Sequence, residues 1–161
     1  MTRDEFLNIF ASPQIKNVAT LVGNLANASP IGDMPPVLLT LDAELSVISP
    51  LAKRRKVELA DFYLAYRQTA LKKGELIASV SFDLPLAGEV LSFRKVTQRR
   101  DLDISCVNGG FRVQRNSQGK FVKVRMAMGG VGPTPLRLKS CEKLFSLKSE
   151  TSLRERVLQA M

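Results

Sequence analysis

The residues best suited to chemistry lie close together in segment 20–33, TLVGNLANASPIGD. Gly23 can adopt a positive φ without a steric penalty and Asn24 tolerates it better than most residues, so the pair predicts a tight turn. Short side chains follow, among them amide and hydroxyl groups, and they leave room for a polar ligand against the backbone. The segment ends at a lone carboxylate, Asp33. These features together are typical of a loop that binds a polar cofactor.

Two kinds of partner suit Asp33. Its carboxylate could accept a hydrogen bond from a ligand hydroxyl, or it could accept from the N–H groups of a helix that begins near Pro35 and Pro36. A loop that only caps a helix, without any ligand, is therefore the alternative to a cofactor loop. The residue types leave both interpretations open.

Three ordered segments are similar to motifs of one family, the FAD subunits of the molybdenum hydroxylases, which include xanthine dehydrogenases and carbon monoxide dehydrogenases. Segment 20–33 resembles x-G-G-N-[LI]-x-x-[AT]-S-P-x-x-D in the second flavin-contacting loop, although Val22 replaces the first glycine. Segment 60–85 resembles D-F-F-x-G-Y-R-x-T-x-L-x-x-x-E-[IL]-[IL]. Segment 93–105 resembles F-[RK]-K-x-x-x-R-x-x-x-D-I-[AS], which begins the C-terminal domain. The chain as a whole most resembles the small subunit of bacterial xanthine dehydrogenases.

The resemblance implies an α+β fold in two parts. Residues 1–86 would form the second half of an FAD-binding domain. Residues 87–161 would form a CO dehydrogenase flavoprotein C-terminal-like domain, an antiparallel three-stranded sheet with helices. The family's pyrophosphate-loop half and its iron–sulfur domain would lie outside this chain. Because the missing phosphate contacts are charge-assisted hydrogen bonds worth roughly 1.5–3 kcal/mol each, tight FAD binding by this chain alone is not expected.

The same resemblance implies a set of FAD contacts. Phe10 would pack near the isoalloxazine, Ile77 would form a wall of the site, and Lys95 would place a cation near the ring system. Five residues would line the ribityl and phosphate side: Thr20, Gly23, Asn24, Asn27 and Asp33. Plain core positions for Phe10 and Ile77, and a solvated strand position for Lys95, are the alternatives.

In an intact enzyme of this family, electrons would pass from iron–sulfur clusters through FAD to NAD, while the molybdenum cofactor would sit in another subunit. The implied function is therefore part of the flavoprotein component of a xanthine dehydrogenase-like enzyme, with this chain alone inactive. A flavin-free scaffold that self-associates is the alternative function. A basic nucleic-acid-binding module is a further and weaker one.

The sequence contains no histidine, which excludes Ser-His-Asp and Cys-His nucleophiles and the H-E-x-x-H metal helix. Neither Cys106 nor Cys141 has a C-x-x-C neighbour, so the pattern favours buried thiols over a disulfide or a metal site. Redox chemistry in this chain must therefore come from a cofactor. A flavin suits, because its ring carries the electron chemistry and needs only orientation, hydrogen bonds and a tuned field.

The net charge is +9, from 24 basic and 15 acidic residues. The cations form small clusters without interleaved aromatic residues, and no nucleic-acid-binding fingerprint is present, so most of them are expected on solvated turns and strand edges. No run of about 18 apolar residues and no apolar leader is found, which predicts neither a membrane span nor a signal peptide. The cytoplasm is the expected compartment.

Periodicity predicts strands followed by helices rather than a doubly wound sheet. Strands are predicted at 44–48, 57–59, 75–84, 90–97, 106–114 and 121–128. Helices are predicted at 3–11, 36–42, 138–147 and 151–161, with a helical turn at 59–65. The basic cluster at 53–56 is expected in a hairpin connection, and 85–89 is expected to link the two parts of the chain.

Overall fold

The structure, a computed structural model, describes residue 6, residues 10–99 and residues 103–146. Within this part, four helices have defined ends: α1 (Pro13–Val18), α2 (Leu21–Ala26), α3 (Met34–Thr40) and α4 (Lys139–Ser146). The strands are β1 (Glu44–Ile48), β2 (Arg54–Glu58), β3 (Tyr63–Ala65), β4 (Gln68–Thr69), β5 (Leu76–Ser81), β6 (Glu89–Val96), β7 (Val107–Arg115), β8 (Phe121–Gly129) and β9 (Leu136–Arg137). The predicted helix at 151–161 lies outside the described residues, and the one at 3–11 is described only at residues 6, 10 and 11.

The first sheet is antiparallel with the order β2-β1-β5, so β1 is its central strand. Leu45 and Val47 of β1 are completely buried and alternate with less buried residues, as expected for a strand with one face on the core. The basic cluster at 53–56 lies mainly in β2, and the turn before it is residues 49–53. The prediction that this cluster forms the hairpin connection was wrong.

The strand predicted at 75–84 is shorter, and its buried face differs from the predicted one. The pairing of β1 with β5 shifts register between Ser46 and Val47. This irregularity changes the alternation, so Ile77 and Val80 pack against the core while Leu76 is 69% exposed. A strict period of two predicts Leu76, Ala78, Val80 and Phe82 on one face of this strand.

The second sheet is an antiparallel meander with the order β6-β7-β8-β9. Its three long strands lie within one residue of the predicted ends, and residues 116–120 form the loop between β7 and β8. The two-residue strand β9 adds a fourth member that was not predicted. The α+β class, with antiparallel sheets and a few helices, is confirmed.

Helix α3 packs against β7 and β8 and joins the first half of the chain to the second sheet. Its residues from Pro35 to Thr40 are all buried. Gly110 of β7 makes this contact possible, because a Cβ there would lie 2.5 Å from the carbonyl oxygen of Pro36. Phe93 and Ala127 of the second sheet belong to the same buried core cluster as Leu38 of the helix. No helix in the described part is long and apolar enough to span a membrane.

The N-terminal elements differ from the prediction in a specific way. Ser12 and Pro13 follow directly after the helix predicted at 3–11, but instead of ending a helix they begin one. The Ser12 side chain accepts a hydrogen bond from the N–H of Ile15, and Pro13 occupies the first turn, where its missing N–H has no consequence. The helical turn predicted at 59–65 is confined to a 3₁₀ turn, Leu59–Asp61, and β3 follows it.

A buried charge network fixes the predicted linker, residues 85–89, to the second sheet. Glu89 at the start of β6 has a fully buried side chain, and the Arg112 side chain on β7 is 1% exposed. Arg112 Nε donates to Glu89 Oε2 at 2.7 Å, and the N–H of Leu86 donates to the same oxygen at 3.0 Å. Lys123 Nζ lies 2.9 Å from Glu89 Oε1. One carboxylate therefore holds the linker and two neighbouring strands together.

This network predicts a loss of stability in acid. Burial alone would raise the pKa of Glu89, but hydrogen bonds from Lys123, Leu86 and Arg112 lower it from 4.5 to about 2. A carboxyl that is more acidic in the folded chain stabilises it fully above the unfolded pKa, and this contribution is lost as the pH falls towards the folded pKa. We therefore expect the urea midpoint of unfolding to fall as the pH is lowered from about 5 to about 3.

Glu89→Gln should remove part of this pH dependence. The remainder is expected from groups such as Glu75, whose pKa the hydrogen bond from Arg55 lowers to about 2. An unfolding midpoint that stays constant across the same pH range in the unaltered protein would contradict the prediction.

Candidate cofactor site

The segment with the Gly-Asn pair is helical rather than a tight turn. Gly23 and Asn24 lie inside α2, and neither has a positive φ. The Thr20 hydroxyl begins this helix by accepting from the N–H of Gly23 at 2.9 Å. A Cβ on Gly23 would lie 2.9 Å from the same hydroxyl oxygen, so the glycine is explained by this close approach. The sharp turn comes later, at Ala28, whose φ is 48°.

A small apolar pocket lies beside this helix. Its volume is about 370 Å³, and it is lined by Phe10, Lys16, Ala19, Thr20, Leu21, Asn24 and Met34. The Oδ1 atom of Asn24 is buried and accepts no hydrogen bond within the described part of the chain. A buried acceptor without a donor costs roughly 1–3 kcal/mol, so a ligand N–H or O–H group would be favoured there. The pocket therefore suits a largely apolar ligand that carries at least one donor.

A cluster of buried polar side chains stands next to the pocket. Asp33 is largely buried, and it immediately precedes Met34, which lines the pocket. Its Oδ2 lies 2.8 Å from Lys95 Nζ of β6, in an ion pair whose side chains are 10% and 8% exposed. Its Oδ1 accepts a short hydrogen bond from the Ser105 hydroxyl and one of 3.0 Å from Asn108 Nδ2. Three donors from the second half of the chain thus converge on one carboxylate.

This arrangement contradicts the interpretation of Asp33 as a helix cap, while its role as a ligand acceptor stays a prediction. α3 begins directly after Asp33, but the carboxylate makes no capping hydrogen bond to that helix. The same side chain is instead held by groups more than 60 residues away in the sequence. The interpretation of Lys95 as a solvated strand lysine was also wrong, since its side chain is buried in the ion pair.

The structure brings together some of the predicted cofactor residues and separates others. Phe10, Thr20 and Asn24 line the apolar pocket, and Gly23 lies between the last two. Asp33 and Lys95 form the polar cluster next to it. Asn27 and Ile77 belong to neither group: Asn27 is exposed at the end of α2, and Ile77 of β5 packs against the core.

Two family descriptions match nearly the whole chain. The FAD binding domain in molybdopterin dehydrogenase matches residues 2–85, and the CO dehydrogenase flavoprotein C-terminal domain matches residues 92–160. The chain belongs to the FAD-binding flavoproteins of the molybdenum hydroxylases. The resemblance seen in the three sequence motifs is thereby confirmed.

Known relatives of this flavoprotein are oxidoreductases. Xanthine dehydrogenase/oxidase of Gallus gallus is 39% identical over 87% of this chain and 10% of its own length. The nicotinate dehydrogenase FAD-subunit of Eubacterium barkeri is 34% identical over 83% of this chain and 46% of its own length. Among solved structures, carbon monoxide dehydrogenase of Hydrogenophaga pseudoflava aligns with a TM-score of 0.85 and 26% identity over 97% of this chain and 53% of that chain. The flavoprotein therefore spans about half or less of these relatives.

The residues of the flavoprotein fit the cofactor of its family. FAD is that cofactor, and the family carries molybdenum and iron–sulfur groups in other subunits. The apolar pocket with Phe10 suits a flat ring, and the buried Asn24 oxygen provides an acceptor for a ring N–H or a hydroxyl. In the described part, no group of three or more His, Cys, Asp or Glu side chains could hold a metal.

Sequence reasoning missed six residues of the site. Lys16, Ala19, Leu21 and Met34 line the pocket, and Ser105 and Asn108 complete the polar cluster. Ser105 ends a motif that the resemblance had already singled out, which is a signal for that residue. The sequence contained no such signal for Asn108, because only the folded sheet brings this residue to Asp33.

Proposed function

We propose that this chain provides one side of the FAD site in a xanthine dehydrogenase-like molybdenum hydroxylase. In that enzyme, FAD would take electrons from iron–sulfur clusters and pass them as hydride to NAD, while the substrate would react at a molybdenum cofactor held elsewhere. Residues 1–86 would supply the FAD-binding part and residues 87–161 the C-terminal part. Support comes from the two family matches and from the relatives that are dehydrogenases.

The chain's own residues would bind and orient the cofactor. Phe10 would pack against a flat ring of FAD in the apolar pocket, and the Asn24 oxygen would accept a hydrogen bond from it. Thr20 and Gly23 would lie at the rim, with Asn27 on the ribityl and phosphate side. The Asp33–Lys95 pair would set the charge beside the pocket. Ile77 would support the wall of the site from behind, because it packs against the core.

The proposed partners are an iron–sulfur domain and a molybdenum-cofactor subunit. A cytoplasmic location is proposed with them. Both thiols support it, since Cys106 is exposed, Cys141 is buried, and neither forms a disulfide. The expectation that both thiols are buried was wrong for Cys106.

The single observation that carries the proposal is the apolar pocket at the family's flavin loop, lined by Asn24, whose buried side-chain oxygen accepts no hydrogen bond within the described residues. Titrating the purified chain with FAD, followed by flavin fluorescence, should show saturable binding. Asn24→Leu should weaken it about fivefold, because one hydrogen bond of about 1 kcal/mol is lost. The matched control is Asn17→Ala on α1, at an exposed position. Absence of any binding by the unaltered chain would overturn the proposal.

A specific surface supports self-association as a second property. Helix α1 has no buried residue, and its Ile15 and Val18 are 54% and 81% exposed. The neighbouring Lys16 and Ala19 line the apolar pocket, so apolar surface continues from the helix into the pocket. Phe6 does not belong to this exposed surface, since it is 8% exposed and packs on Phe93.

We expect the chain, purified without added FAD, to be colourless and to form dimers or larger assemblies. Ile15→Glu combined with Val18→Lys should shift it to the monomer in light scattering coupled to size exclusion. Added FAD should act in the same direction, because it would occupy the adjacent pocket. A monomer before any change would refute self-association, and a yellow protein would show that FAD binds more tightly than expected.

A further inference from the structure

We propose that Ser105 and Asn108 are positioning residues of the flavin site, because they hold the Asp33 carboxylate in the orientation that keeps it paired with Lys95. The inference rests on the proposed function and adds to it the residues that would set the charge acting on the cofactor. Neither residue lines the pocket. Both would therefore act on the cofactor only through the charge pair.

The two oxygens of Asp33 have separate partners. Oδ2 faces the Lys95 ammonium at 2.8 Å, whereas Oδ1 accepts from Ser105 and Asn108. The final torsion of an aspartate is soft, since an sp³–sp² bond has no sharp staggered minima. Two donors fixed on Oδ1 remove this freedom, and Oδ2 then stays on the ammonium.

Asn108 also holds the backbone that carries Asp33. Its Nδ2 lies 3.1 Å from the carbonyl oxygen of Gly32 and 3.3 Å from that of Ile31. The N–H of Gly130 donates to the carbonyl oxygen of Pro30 at 2.8 Å, which attaches the same loop to the end of β8. The loop between α2 and α3 is thus attached to the second sheet at two points, Asn108 of β7 and Gly130 after β8.

The orientation of the Asp33 carboxylate determines how strongly the Lys95 charge acts on a group in the pocket. Both side chains are about nine-tenths buried, and a buried charge interacts far more strongly with its neighbours than one in water. While the carboxylate faces the ammonium, the two charges largely cancel outside the pair. If the carboxylate turned away, the positive charge would act on a cofactor in the pocket that Met34, the next residue, lines. Reduced flavin carries more negative charge than oxidised flavin, so its binding is the more sensitive of the two.

The test compares the affinities of the chain for oxidised and reduced FAD. Ser105→Ala removes the hydroxyl and Ser105→Thr retains it. Ser81→Ala is the matched control, because its hydroxyl donates only to a backbone carbonyl, that of Glu44, at an exposed position. Urea unfolding of each variant shows whether the fold is intact. The ratio of the two affinities is the decisive readout, since a loss of packing would weaken both forms alike.

We expect Ser105→Ala to change this ratio about threefold in favour of reduced FAD, while Ser105→Thr and Ser81→Ala stay near the unaltered chain. Asn108→Ala should change it in the same direction. A ratio in Ser105→Ala equal to that of the unaltered chain, with FAD still bound, would overturn the positioning role and leave the proposed function standing. If the unaltered chain binds neither form, the proposed function fails, and this inference fails with it.

Discussion

Asp33→Ala is expected to lower the free energy of unfolding by about 3–5 kcal/mol, because it leaves the Lys95 ammonium buried without its carboxylate. Ser105 and Asn108 lose an acceptor in the same step, and both residues are at most 2% exposed. Urea unfolding at neutral pH measures the loss. FAD binding should weaken as well, by about 1–3 kcal/mol where the variant remains folded, because the loop beside the pocket loses its attachment.

An exposed carboxylate provides the control for this change. Glu44→Ala removes a partner of Lys56, whose side chain is 77% exposed, and such a pair contributes about 1 kcal/mol or less. If Asp33→Ala costs no more than this control, the cluster has no special importance for the fold. Unchanged FAD binding in a folded Asp33→Ala chain would remove Asp33 from the flavin site and leave it a purely structural residue.

Lys95→Met separates the two halves of the ion pair. Asp33 keeps the donors from Ser105 and Asn108 in this variant, so the loss of stability should be smaller than in Asp33→Ala. The negative charge is now uncompensated, and reduced FAD should bind less tightly relative to oxidised FAD. Combining both changes removes both charges and should restore the ratio of the two affinities. If Asp33→Ala, Lys95→Met and the double variant all keep the affinity ratio of the unaltered chain, the pair does not influence the flavin.

Sequence reasoning predicted the second sheet almost completely, and the reason is physical. Residues 90–97, 106–114 and 121–128 are long β-type runs separated by short polar loops, so local pattern and final structure agree. β9 was not predicted because a strand of two residues has no periodicity of its own. It is held at the sheet edge by its pairing with β8 and by the ion pairs of Arg137 with Glu142 and Asp42.

The first half of the chain was harder to predict because turn signals and helix signals share residue types. Gly23 and Asn24 suggested a tight turn, but the Thr20 cap starts a helix that includes both residues. The family resemblance still located the right loop, since motif order does not depend on backbone geometry. Pairing between β1 and β5 contains a bulge, and no single-strand pattern reveals a bulge before its partner is known.

The polar cluster marks the limit of sequence reasoning for the site itself. Asp33 and Lys95 were assigned to the cofactor from motifs that are far apart, yet nothing in those motifs indicated that the two form a pair. Their contact depends on α3 packing on β7, which in turn requires Gly110. Ser105 and Asn108 come to Asp33 by the same route. Tertiary packing, rather than local pattern, therefore determines the charge beside the pocket.

Glu89→Ala is expected to have an effect on stability as large as that of Asp33→Ala, about 3–5 kcal/mol. It leaves the Arg112 guanidinium inside the protein with a single weak acceptor in the described residues, the carbonyl oxygen of Leu84 at 3.4 Å. Arg112 Nη1 makes no hydrogen bond there even in the unaltered chain. The linker also loses its attachment at Leu86, so limited proteolysis between the two parts should become faster.

A double change tests whether the cost comes from an uncompensated charge or from lost packing. Glu89→Leu combined with Arg112→Met removes both charges and keeps similar volumes, so it should destabilise the chain less than Glu89→Ala does. Lys123 remains able to reach water, because its side chain is 28% exposed, and it imposes no comparable penalty. If the double variant is less stable than the single one, the pair itself stabilises the fold. The linker would then depend on the ionic contact rather than on the shape of the residues around it.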